Sequence, residues 1–158
     1  MKRILIIALL LTSILTGCAA KEPALPTSWP IESELQMTTE EYLVASIAYE
    51  QTLMDNMRII MDNINRDING DPHLDVLAEA ADNIHKANVA FAWLNPPDEW
   101  IPSHALAVSA GIDQDAAYAL QLEGIAERDV AKLNQANALA KIANGKLEAA
   151  YNAMPTQR

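Results

Sequence analysis

Few residues in this chain are of types that do chemistry, and their spacing limits what each group can perform. A carboxylate-bridged di-iron centre in a helical bundle needs a Glu from each of two helices and a Glu-x-x-His from each of the other two. Glu50, the pair Asp82-x-x-His85 and Glu123 come nearest to that set, but no histidine follows His104, so half of it is missing. Asp82 and Lys86 read instead as an i,i+4 ion pair on the flank that carries His85. The corner Asp67-Ile68-Asn69-Gly70-Asp71-Pro72-His73-Leu74-Asp75 sets side-chain oxygens at the first, third, fifth and ninth positions of a calcium loop. Pro72 then stands where a glycine is required and Ala78 where a bidentate Glu should be. A helix stop at Gly70, then Asp71 as N-cap and Pro72 at the first helical position, accounts for the same residues. Met54, Met57 and Met61 share a helical face, but no Cys or His joins them, so they read as core packing and not as a soft-metal site. No metal and no cofactor are expected.

Nucleophilic catalysis finds no support. There is no Gly-x-Ser-x-Gly, no glycine-rich phosphate loop, and Ser103 and His104 are sequence neighbours whose side chains diverge by about 100° on a helix. Glu50 is the one ionisable break in an otherwise apolar seam. A buried carboxylate must find a partner, lie near water or take a proton. Pairing with a Lys, Arg or Tyr of a neighbouring helix is the simpler account, and an internal polar site the functional one. The expectation is a protein that is not an enzyme, with Glu50 its candidate polar core site.

Cys18, the only cysteine, has a specific context. Met1-Lys2-Arg3 is a basic start, followed by the apolar run Ile4 to Ile14. Eleven helical residues rise about 16 Å, far short of the roughly 30 Å bilayer core, so this is a signal h-region and not a permanent span. It leads into Leu15-Thr16-Gly17-Cys18, which resembles the lipobox of bacterial lipoprotein precursors. That resemblance implies cleavage before Cys18, a diacylglycerol thioether on its sulfur and stable anchoring by two or more acyl chains. Ala19, where an Asp would oppose it, is similar to the outer-membrane sorting case. The address is then the outer membrane facing the periplasm in a two-membrane cell, or the outer face of the cell membrane in a one-membrane cell.

The remaining elements must position these residues. Removing Met1 to Gly17 from the 158 residues leaves 141, enough for one domain. The formal charge of −10 becomes −12 once Lys2 and Arg3 are gone, which argues against any nucleic-acid partner. Residues 18–37 form the lipidated N-terminus and a tether stiffened by Pro23, Pro26 and Pro30. Residues 38–155 hold four helical patterns. The first opens with the capping box Thr38-Thr39-Glu40-Glu41 and continues as the seam Leu43, Ile47, Glu50, Met54, Met57, Met61, Ile64, Ile68, flanked by Tyr42, Tyr49, Leu53 and Ile60. The second carries Leu74, Leu77, Ala81, Ile84, Phe91 and Leu94 and stops at Asn95-Pro96-Pro97. The third runs from Asp98 as N-cap, or begins instead at Pro102, to about Glu123 with Ile101, Ala105, Val108, Ile112, Ala116, Ala119 and Leu122 inward, Gly111 a weak point, and Gly124-Ile125 its corner. The fourth spans about Glu127 to Ala153, with Val130, Leu133, Ala136, Ala140, Ala143, Leu147, Ala150 and Met154 inward.

The expected fold is all-α, an antiparallel up-down-up-down four-helix bundle. The Pro96-Pro97 corner followed by Trp100 and His104, with the Gly124-Ile125 corner, resembles small bacterial lipoproteins with helical ectodomains. The resemblance implies a non-enzymatic binding or structural role in the cell envelope, with the membrane as partner through Cys18 and an envelope protein as a second. The alternative is a carrier of a small ligand or metal between helices, near Glu50 or the Trp93–Trp100 corner. A Cys18→Ser variant is expected to lose both labelled fatty acid and membrane retention; unchanged retention in a fractionation experiment contradicts the anchor.

Overall fold

The computed structural model describes residues 36–66 and 73–155. The leader, Cys18, most of the tether, the Asn69-Gly70 stop and the Asp71-Pro72 start lie outside those residues. Four long helices make up the fold, and no strand occurs among the described residues.

Helix α1 (Thr39–Arg66) starts with the expected capping box. The Thr38 N–H and hydroxyl donate to Glu41 Oε2 at 2.9 and 2.7 Å, and the Glu41 N–H returns a bond to Thr38 Oγ1 at 3.3 Å. These bonds hold the exposed Glu41 carboxyl below its usual range. The Met37 N–H donates to the Asn95 carbonyl at 2.9 Å and Gln36 Nε2 to Asp98 Oδ1 at 2.7 Å, so the entry to α1 is tied to the double-proline corner.

Helix α2 (Leu74–Ala92) begins two residues beyond Pro72, after His73, and ends before the prolines as expected. A 3₁₀ turn at Asp98–Trp100 precedes α3 (Ile101–Glu127), so Asp98 does not cap α3 as expected. Pro102 lies in the first turn of α3, where its missing N–H has no helical acceptor to serve.

The expected corner at Gly124-Ile125 is inside α3. The turn is made by Arg128, at φ 53° and ψ 38°, and Asp129. The Asp129 N–H reaches back to the Gly124 carbonyl at 2.8 Å and the Arg128 N–H to that of Ile125 at 3.2 Å, the pairing of a Schellman motif. Asp129 then caps α4 (Val130–Asn152), its carboxylate accepting from the Ala131 and Lys132 N–H groups at 2.8 and 3.3 Å. Gly124 owes its place to packing, because a Cβ there would meet Leu133 Cδ2 at 2.9 Å and its backbone N at 3.1 Å.

The buried faces differ from the sequence reading in two helices. In α1 the deepest row is Tyr42, Tyr49, Leu53, Asn56 and Ile60, while Ile47 of the expected seam is 63% exposed. In α3 the interior holds Ser103, His104, Ala110, Gly111, Asp113, Gln114, Ala117 and Gly124, whereas Ile101 is exposed. That helix packs against both α2 and α4, so it buries two faces, and small or polar residues fill them. Gly111 is not a bend but a notch: its absent Cβ would lie 2.9 Å from Asn88 Cγ. Gly145, on α4, has nothing within 4 Å of its absent Cβ. Gly111→Ala is therefore expected to lower stability by about 2 kcal/mol through overpacking and displaced hydrogen bonds. Gly145→Ala is expected to raise it by about 0.5–1 kcal/mol through helix propensity. Urea unfolding of both variants checks the contrast.

Candidate functional site

The aromatic end of the domain is built from the starts of α1 and α3 and the end of α2. Tyr49 and Phe91 stack with ring centroids 4.2 Å apart at 13°, and Tyr42 lies 5.4 Å from Trp100. Trp100 is buried and lines the cavity described below, while Trp93 is 40% exposed and does not, so the Trp93–Trp100 corner is not itself the site.

Helix α3 packs on α4, α1 on α2 and α2 on α3, but no comparable packing joins α1 to α4. Between them lies a cavity of about 190 Å³. It is larger than the roughly 150 Å³ engineered apolar cavity that admits benzene. Leu43, Ile47, Glu50, Met54 and Met57 of α1 form one wall, Leu147 and Tyr151 of α4 with Met154 the other, and Tyr42, Tyr49, Phe91 and Trp100 the floor. The lining is predominantly apolar. Five of the eight positions read from the sequence as a core-facing seam thus line a groove, while Leu43, Met57 and Ile64 also pack against the core.

Glu50 lies in that wall, half-buried, and burial pushes its carboxyl above the ordinary value. It has no hydrogen bond or ion pair among the described residues, so the expected partner from a neighbouring helix is not there. Gln114 of α3 also lines the cavity, 6% exposed, and its Oε1 has no hydrogen-bond partner among the described residues.

Beneath the groove run polar contacts the sequence reading missed. The Tyr49 hydroxyl donates to Asn88 Oδ1 at 2.9 Å, and Asn88 Nδ2 donates to the Gly111 carbonyl at 3.1 Å and to Asp115 Oδ1 at 2.7 Å. The other Asp115 oxygen lies 2.7 Å from His85 Nδ1. One hint was available: Asn88 interrupts the apolar stripe between Ile84 and Phe91. Tyr42 Oη and His104 Nδ1 are 3.2 Å apart, and His104 Nε2 is buried without a hydrogen-bond partner among the described residues. Burial pushes the His104 imidazole down to about 4 and the Tyr42 phenol up to about 12, so both are neutral at pH 7.

The remaining chemistry-bearing residues are dispersed. Asp82 pairs with Lys86 at 2.6 Å, as the spacing implied. Glu123 accepts from Lys132 Nζ at 2.8 Å, and Lys146 pairs with buried Asp113 at 2.5 Å. Among the described residues no three of His, Cys, Asp and Glu come together as a metal site, and no helix is long and apolar enough to cross a membrane. No family model, curated protein or solved structure matches this chain, so the site is read from its own geometry.

The neutral burial of His104 sets a pH dependence. Its folded pKa is depressed, so its contribution is fully present above the unfolded value of 6.5 and is lost as pH falls toward about 4. Glu50 acts with the opposite sign, since its raised folded pKa favours the folded state on acidification. The His104 effect is expected to remove up to about 3 kcal/mol over that window, at about 1.4 kcal/mol per pH unit. Urea unfolding at pH 7 and pH 4.5 should show a shallower loss in His104→Phe than in the wild type; equal slopes contradict the assignment.

Proposed function

We propose that the protein is a lipid-anchored, extracytoplasmic binding protein with no catalytic role, and that it holds a small apolar ligand in the groove between α1 and α4. The observation that carries this reading is the groove itself, a predominantly apolar cavity of about 190 Å³ left where two helices of the bundle do not close. Apolar concavities with a few polar groups are the usual form of small-molecule sites. The thioethers of Met54 and Met57 suit such a wall because they adapt to ligand shape. The lipobox-like Leu15-Thr16-Gly17-Cys18 supports the anchor.

The chain is taken to run antiparallel, up-down-up-down. Cross-helix pairs support this, because numbers fall on one helix as they rise on its neighbour. Tyr49 meets Asn88 where Asn56 meets Asn83, and Asp113 meets Lys146 where Glu123 meets Lys132. Residues 36–38 lead into α1 beside the groove's aromatic end. An envelope protein partner is the second reading, favoured by Val44 and Ile47, one turn apart on α1 and 64% and 63% exposed.

The test uses the full chain carrying Cys18→Ser, so that no detergent competes for the groove. Nile red is expected to bind saturably with a blue-shifted emission. Ala107→Trp, which fills the cavity from α3, is expected to weaken binding by about tenfold or more, equivalent to about 1.4 kcal/mol, with unchanged circular dichroism. Absence of saturable binding to the folded chain contradicts the ligand-binding reading.

A further inference from the structure

The polar groups of the groove say what kind of apolar molecule suits it, given the reading of the groove as a ligand site. Glu50 is a carboxylate set among Leu43, Ile47, Met54 and Met57, half-buried and without an ion-pair partner among the described residues. A ligand that brought a second anion there would add like-charge repulsion to a desolvation cost already present. A ligand that brought a cation would relieve it. Gln114, more than nine-tenths buried, presents an amide on the same cavity with an oxygen that accepts no bond among the described residues. An N–H donor on the ligand would satisfy it, and an unsatisfied buried amide is costly to leave. Tyr42, Tyr49 and Trp100 line the same cavity, and no lysine or arginine among the described residues does. The formal charge of −10 biases encounter in the same direction.

We propose that the groove takes an amine-bearing amphiphile, with a protonated amine met by Glu50 and hydrogen-bonded by Gln114, and an alkyl or aryl body laid along the Met- and Leu-lined walls. The amine neutralises the only carboxylate of the lining among the described residues, and the body covers apolar surface that no described helix covers. Carboxylate amphiphiles of the same length are disfavoured at the same position.

The test is displacement of Nile red from the full chain carrying Cys18→Ser, at physiological salt, by three probes of equal length: octylammonium, octanol and octanoate. Octylammonium is expected to displace the dye at a concentration about tenfold below octanoate and below octanol as well. Glu50→Gln is expected to bring octylammonium to the level of octanol in the same variant, removing the preference for the amine. Asp62→Asn, an exposed carboxylate of α1 outside the groove, is expected to change neither and so separates the site from general attraction to an acidic protein. Octanol acting as well as octylammonium, or a preference for the amine that survives Glu50→Gln, overturns the amine assignment and leaves the apolar groove standing. Failure of all three probes, with no saturable dye binding, overturns both.

Discussion

Helix α4 packs on α3, and small side chains are buried on both, Ala136, Ala143 and Ala150 on α4 and Ala110 and Ala117 on α3. The two-residue corner at Arg128 and Asp129 starts this contact, and Gly124 leaves room there for Leu133. Toward α1, helix α4 turns Leu147 and Tyr151, which face Leu43, Ile47, Met54 and Met57 across the groove. Interhelical distance depends on the residues at the contact, so an alanine seam on one side and a bulky face on the other open a bundle unevenly.

On the other side of the domain the chain is held by polar contacts. Asn88 takes the Tyr49 hydroxyl from α1 and donates to Gly111 and Asp115 of α3. A buried amide that satisfied fixes three helices in one register, since any slip leaves donors and acceptors without partners. His104 adds a second buried polar group at the aromatic end, neutral because burial disfavours its charged form.

Much of the helical layout was legible from single residues. Thr38 and Glu41 announced the start of α1, Asn95-Pro96-Pro97 the end of α2, and Asp82 with Lys86 an ion pair that the structure contains. The corner after α3 was misplaced because Gly124 looked like a stop, whereas the left-handed position is occupied by Arg128, a residue with no turn preference to betray it. The inner face of α3 was misread because Ser103, His104, Asp113 and Gln114 are inside. Hydropathy assigns such residues to the surface, and only partners on other helices change that.

The sequence by itself determined that this chain makes four amphipathic helices, where the first begins and the second ends, and that Glu50 breaks an apolar seam. Those properties are local, set by capping chemistry, proline geometry and the helical period. Tertiary structure alone decided that the seam from Leu43 to Met57 lines a groove that no helix of the described residues covers. Periodicity records that a side chain prefers to leave water; what it packs against depends on the size of side chains elsewhere, here the alanines that hold α4 on α3.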